Sequence, residues 1–352
     1  MHANVLVIGA GFSGLAAARA VSRENQSVVV LEARDRVGGR ALSQTVGAAA
    51  FDLGPAWVWP QYQPRIAALI DEFGAELVPQ FETGDFLFET HTGLQRGDYP
   101  KRYLDARRVR GGLQSLAQAM AGTLPHQALR YGETVAEVHV AKTQVEVKTR
   151  SVTYTCRKLI CAAPGPLMSQ WLFQPALPQN LVNALQRWPT WMAAQAKIIA
   201  VYDKPFWRDN GLSGAAASHI GPLVETADQS DIDHGLYALF GFLGWPAQER
   251  ARQKAQLEQA VMDQLVRLFG QHAAQPDAFY LQDWALESLT AAPSDLNAAA
   301  GHPPYGEPAW SQDWFDGRVF FAGAESADTH GGLIEGALNA GERAAAAVCF
   351  TS

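Results

Sequence analysis

The run from Asn4 to Arg40 constrains this chain more than any other stretch. Asn4–Ile8 (NVLVI) is short, apolar and rich in branched side chains, the pattern of a buried parallel strand. It enters Gly9-Ala10-Gly11-Phe12-Ser13-Gly14; Leu15–Val21 (LAAARAV) is then helical, and Ser27–Leu31 (SVVVL) reads as a second strand closed by Glu32. Three spaced glycines alone are a weak signal. In the order strand, glycine turn, helix, strand, acid, they specify a dinucleotide-binding unit. Gly9 permits the tight turn, Gly11 lets the backbone approach a pyrophosphate, and Gly14 lets the helix press on the sheet. The helix start at Phe12 and Ser13 offers unpaired N–H groups and a partial positive charge to phosphates. Glu32 can accept hydrogen bonds from ribose hydroxyls, and its charge disfavours a 2′-phosphate.

The next residues extend the unit. Glu32-Ala33-Arg34-Asp35-Arg36-Val37-Gly38-Gly39-Arg40 sets a glycine pair among arginines. The pair allows a second close backbone approach, and arginines can fork onto phosphate oxygens, Arg40 being the best placed. Near the other end, Gly317–Phe321 (GRVFF) reads as a strand entering Ala322-Gly323-Ala324-Glu325. Gly331-Gly332-Leu333-Ile334-Glu335-Gly336-Ala337 then opens an Ala-rich helix reaching Val348. This again is strand, small-residue turn and helix start, which presents backbone donors to a ligand.

With 352 residues, 48% of them hydrophobic, the chain can bury the cores of two domains. A formal charge of −7 leaves no basic footprint for nucleic acid. Cys156, Cys161 and Cys349 have no metal-type spacing, so reduced thiols and no metal are expected. No apolar run approaches a membrane span, and no signal peptide or C-terminal anchor is read. A soluble cytoplasmic enzyme is the expectation.

These stretches resemble the flavin-containing amine oxidase family, of the monoamine oxidase type, over nearly the whole chain. The Glu32–Arg40 loop resembles its second FAD signature. Asp52-Leu53-Gly54-Pro55-Ala56-Trp57, Val109-Arg110-Gly111-Gly112-Leu113, Thr134-Val135-Ala136-Glu137-Val138 and Leu159–Pro164 resemble successive segments of the same cofactor domain. The resemblance implies non-covalent FAD, because the region before Ser294 has no cysteine to tether it. It implies that Ala33, Arg34, Gly39 and Arg40 line the cofactor, that the Val135 backbone meets adenine, and that Gly54, Pro55, Ala56, Trp57 and Trp284 stand against the flavin. It sets Gly323 and Glu325 along the ribityl–diphosphate and the N–H groups of Leu333 and Ile334 against the pyrimidine edge.

Lys197 is the strongest chemical clue. It interrupts the apolar strand-like run Ala196–Tyr202, where a buried charge is costly unless it faces a cavity. Pro205-Phe206-Trp207-Arg208 follows, as in the family, whose lysine at this place bridges through water to flavin N5. Burial would bring such a lysine into a useful range for proton transfer. The substrate side, by the same resemblance, holds Trp57, Leu333 and Ser294; the last two replace the family's aromatic pair.

The expected architecture is α/β, with a discontinuous Rossmann-like FAD-binding domain (1–78, 109–186 and 287–352). A smaller substrate domain of mixed sheet plus helix takes residues 79–108 and 187–286. Helices are expected at Pro64–Phe73, Gly112–Met120 and Ala247–Phe269. Asp98–Arg108 is too short for the family's helical roof, leaving the flavin open there or covered by another copy or partner chain. The expected reaction oxidises a small-molecule amine with oxygen as acceptor, releasing hydrogen peroxide. The alternatives are a dehydrogenase or desaturase of the same fold, or a non-catalytic flavoprotein partner.

Overall fold

The computed structural model describes residues 2–98, 101, 103–297 and 301–350. Tyr99, Pro100 and Arg102 of the short roof segment lie outside the described residues. Strand β1 (His2–Ile8) pairs in parallel with β2 (Val28–Leu31) on one side and with Thr153–Cys161 on the other. A parallel strand covered on both faces has no solvent side, which explains why Val5, Leu6 and Val7 follow one another without alternation. Val319–Phe321 joins the far side of Thr153–Cys161, again in parallel, completing the core of a nine-stranded sheet.

Helix α1 (Phe12–Arg23) packs against the C-terminal helix Ile334–Phe350. Alanines and a glycine bring the two together: a Cβ at Gly341 would stand 2.1 Å from the Ser13 carbonyl oxygen. The two ends of the chain are therefore one packing unit.

The second sheet has seven strands, drawn from Asp85–Gly97 and Ala196–Asp283, with Ala196–Tyr202 between Ala278–Asp283 and Tyr237–Leu243. Asp85–Thr90 and Gly93–Gly97 form a hairpin at its edge, so the short roof segment is flanked by strands rather than helices. Helix α2 (Pro64–Phe73) forms as expected, and α3 runs from Leu113 to Gly122. The single helix expected over Ala247–Phe269 is two, Ala247–Arg252 and Lys254–Phe269, separated at Gln253. Arg250 anchors the first to Asp283 and to the carbonyls of Trp245 and Ala194, whereas Leu257, Val261, Leu265 and Leu268 seat the second on the sheet. Among the described residues, no helix is long and apolar enough to cross a membrane, and no histidine, cysteine or carboxylate cluster could hold a metal.

Candidate active site

A cavity of about 360 Å³ is lined from both sheets. On the first-sheet side the wall is the glycine turn. Gly11 precedes α1 in an extended conformation, no side chain caps the helix, and its first turn carries no acid. The N–H groups of that turn are therefore free for an anion. Gly11 bridges Gly38, and a Cβ on Gly39, whose φ is +58°, would stand 3.3 Å from the Gly11 Cα. The close approach and the positive φ together disfavour a side chain at Gly39. A Cβ on Gly11 itself would meet nothing nearer than 4.0 Å, which leaves its backbone open to the cavity. Phe12, Ser13 and Ala33 complete this stretch of the wall.

The Glu32 carboxylate, 4% exposed, accepts from the N–H of Ala10 (2.8 Å) and of Arg34 (2.9 Å), so both arms of the turn hold it at the wall. Arg34 donates to Thr290 Oγ1 at 2.8 Å and pairs with Glu287 at 3.3 Å. Arg40 donates through Nη1 to Glu325 Oε1 (2.7 Å) and to the Trp191 carbonyl (3.0 Å), leaving its other nitrogens for a ligand. Arg36 turns back onto the carbonyls of Val37, Gly39 and Ala41, bracing the loop away from the cavity. Val135 lines the wall beside Glu133 and Thr134, and Leu333 and Ile334 line it at the start of the C-terminal helix. A glycine cradle, an uncapped helix start, an acid for a ribose and an arginine for phosphate fit FAD. None of the three cysteines lines the cavity.

On the second-sheet side stands Lys197, 5% exposed. Strand period places it with Ile199 and Val201 on the face that packs against Phe240, while Ile198, Ala200 and Tyr202 serve the other core. Its Nζ donates to the Gly54 carbonyl and lies 5.0 and 4.7 Å from the ring centres of Phe240 and Phe242. Burial pushes the ammonium down to about 7, against the opposing pull of the Asp52 and Glu225 carboxylates. Asp52 is itself pushed up to about 6 by burial, despite bonds from the Ser43 hydroxyl (2.6 Å) and the Leu113 N–H (3.0 Å). The Asp52–Gly54 loop is pinned again by Trp284, whose indole N–H donates to the Leu53 carbonyl at 3.0 Å. Pro55, Ala56 and Trp57 continue the loop along the wall. Trp57 stacks on Tyr103 with ring centres 4.3 Å apart, so the short roof segment contributes to the wall's backing instead of leaving that side bare.

Gly14 sits behind the wall, where a Cβ would meet the Gly9 oxygen at 1.9 Å, in the helix-packing role expected of it. Three other expected site residues take other places. Gly323 is likewise a packing glycine, against Trp310 and the Ala163 carbonyl. Glu325 is not on the wall but accepts from Arg40 and from the Trp191 N–H (3.0 Å); Ala324 is the residue of this turn that lines the wall. Ser294 is an exposed residue in a short 3₁₀ turn outside the wall, and so has no substrate-side position. Sequence reasoning missed Trp59, Gln63, Trp191, Met192 and Gln195, all on the wall. Only Gln195, two residues before Lys197, had a local signal.

Residues 85–349 match the flavin containing amine oxidoreductase family, and residues 7–73 match the NAD(P)-binding Rossmann-like domain, which shares the first glycine turn. Putrescine oxidase of Kocuria rosea is 27% identical over 82% of this chain and 83% of its own. L-amino acid dehydrogenase of Synechocystis sp. is 25% identical over 97% and 94%. That alignment spans 452 positions, more than this chain's length, so the relative carries segments with no counterpart here. The structure of putrescine oxidase bound to putrescine superposes with a TM-score of 0.82 at 22% identity, covering 98% of each chain. Cyclohexylamine oxidase from Brevibacterium oxydans gives 0.83 at 21%, again over 98% of each. At these identities the structural likeness speaks for the fold. With a family match over most of its length and a cavity built for FAD, the chain belongs to the flavin-containing amine oxidoreductases.

Proposed function

We propose that this protein oxidises an amine to an imine and passes the electrons to oxygen. In balanced form, an amine bearing hydrogen on the carbon beside nitrogen reacts with O₂ to give the imine and hydrogen peroxide; water then hydrolyses the imine to carbonyl and ammonia or amine. Bound FAD supplies the two-electron acceptor for the hydride equivalent. The single observation that carries the reading is Lys197, a buried amine on the wall whose Nζ is fixed on the Gly54 carbonyl.

An ammonium with a pKa near 7 exchanges its proton readily at neutral pH, which suits it to hold a water and move a proton beside the reacting carbon. The Gly54 carbonyl and the faces of Phe240 and Phe242 restrict where that amine can point. Trp57, Trp284 and Leu333 line the same cavity, and apolar side chains of this kind strengthen each remaining polar contact. Arg40, Glu32 and the α1 N-terminus are proposed to hold diphosphate and ribose, and the N–H groups of Leu333 and Ile334 the pyrimidine edge.

The test is an aerobic screen of amines and amino acids that follows peroxide release and flavin absorbance together. Peroxide formed in step with a carbonyl product supports the reading. Flavin bleaching without oxygen uptake would assign a dehydrogenase, the activity named for the Synechocystis relative. A flavin that no amine reduces would leave only a binding role.

A further inference from the structure

We infer that Gln80 and Tyr103 are positioning residues: they clamp the indole of Trp57 on the cavity wall and, through Phe240, hold the Lys197 amine in its direction. The inference rests on the amine-oxidising reading above. Trp57 is on the wall, whereas Gln80 and Tyr103 are not. The indole is gripped in three ways. Its N–H donates to Gln80 Oε1 at 2.8 Å, and one face stacks on Tyr103 with 19° between the planes. Phe240 meets it edge to face, with centres 5.2 Å apart and planes at 84°. The stack fixes the tilt of the indole, and the N–H bond fixes its rotation within that plane.

Each clamp is itself oriented. Gln80 Nε2 donates to the carbonyls of Asp228 (2.7 Å) and Phe81 (3.1 Å), which turns Oε1 towards the indole. The Tyr103 N–H donates to Glu82 Oε1 at 3.0 Å, and its hydroxyl donates to Glu225. Both stand on the backbone patch that carries Trp57. Leu77–Pro79 pairs antiparallel with Arg107–Val109, and Val58 exchanges both backbone hydrogen bonds with Arg107 at 2.9 Å. The Gln80 N–H donates to the Ala106 carbonyl at 3.2 Å, so Gln80 and Tyr103 reach Trp57 from the two arms of one closed excursion. Phe240 carries the effect inward. Lys197 Nζ lies 5.0 Å from its ring centre and 4.7 Å from that of Phe242, and the two rings meet edge to face at 4.8 Å. Strand pairing sets Phe242 opposite Lys197 and Phe240 opposite Ile199. Trp57 is thus one ring away from the amine. An indole free to tilt removes the edge contact that seats Phe240, and the amine loses a face that restricts its direction.

The experiment uses the FAD-loaded enzyme and follows anaerobic flavin reduction by 2-phenylethylamine, hexylamine, putrescine and phenylalanine; the fastest of these then serves for every variant. Gln80→Leu and Tyr103→Leu should keep wild-type FAD content and lose on the order of 10- to 100-fold in the limiting rate of reduction, the cost of a misplaced group. Tyr103→Phe keeps the ring, drops the hydroxyl and should recover most of that rate. In a Trp57→Leu background the two leucine substitutions should add little, because the route through the indole is gone. Full additivity in that background, a Tyr103→Phe loss as deep as that of Tyr103→Leu, or loss of FAD from both leucine variants overturns the clamp. Wild-type rates in both leucine variants also overturn it, and leave amine oxidation standing. A wild-type flavin that none of these compounds reduces overturns both, so the two failures are distinguishable.

Discussion

The Nζ of Lys197 donates to the carbonyl oxygen of Gly54, a residue 143 positions earlier in the chain. One bond thus ties a strand of the second sheet to the loop that follows the nucleotide-binding unit. The same loop carries Asp52, whose carboxylate caps the start of α3 and acts on Lys197 through space. Proton chemistry at the cavity wall is therefore coupled to the seam between the two sheets.

Lys197→Met should keep FAD, because the side chain takes no part in the glycine cradle. Turnover or the oxygen reaction should fall by roughly 10²- to 10⁴-fold, the usual worth of a positioned proton-transfer group. Stopped-flow traces of each half-reaction measure this. Unchanged rates in both would remove Lys197 from the chemistry.

The pH dependence follows from Lys197 and Asp52. A lysine held at about 7 becomes neutral as pH rises through that value, so a rate needing the free amine should climb through about pH 7. The Asp52 charge raises the Lys197 value; Asp52→Asn should therefore move that limb to lower pH. A limb that stays in place in the variant would uncouple the two residues.

The same shift has a sign in stability. Between about 7 and the ordinary lysine value of 10.5 the unfolded chain binds the proton that folded Lys197 has lost. Stability from this group therefore rises with pH across the window and is lowest at or below pH 7. Lys197→Met should gain on the wild type by on the order of 3 kcal/mol at pH 7, and the gain should shrink towards pH 10. Denaturant titrations at both pH values decide it; a gain independent of pH would contradict the assignment.

Glu32→Ala removes the acceptor for two N–H groups of the glycine turn together with the proposed ribose contact. FAD affinity is expected to drop by about 1–3 kcal/mol, roughly 5- to 150-fold. Flavin-to-protein ratio after purification and FAD titration of the apoprotein are the readouts. Wild-type occupancy and affinity would count against the ribose role.

Asp283→Ala leaves Arg250 buried without its carboxylate, since the pair's side chains are 2% and 7% exposed. Loss of one partner of such a pair costs about 3–5 kcal/mol. Urea unfolding of the FAD-loaded protein would report it. A change below about 1 kcal/mol would mean water replaces the ion pair.

Local rules made the nucleotide unit legible in the sequence. Gly9 and Gly39 announce themselves because backbone approach and positive φ exclude side chains, and Gly11 because its bare backbone is left open to the cavity. Lys197 was legible for the opposite reason, as a charge where strand period demands an apolar residue. Glu325 and Ser294 misled because the residues of a turn point in directions that chain spacing does not encode. In the folded protein Ala324 faces the cavity, while Glu325 reaches Arg40 and Ser294 is exposed.

From sequence alone came the dinucleotide fold, the cofactor class and the one lysine worth testing, since helix and strand periods and glycine geometry act over a few residues. Only the tertiary structure decided which residues share the cavity wall with that lysine. Trp57, Trp191, Phe242, Trp284 and Leu333 come from five separated segments, brought together by strand pairing within the two sheets and by the packing of α1 on the C-terminal helix. Long-range burial, which no local pattern records, made the wall aromatic and placed Lys197 on its second-sheet side.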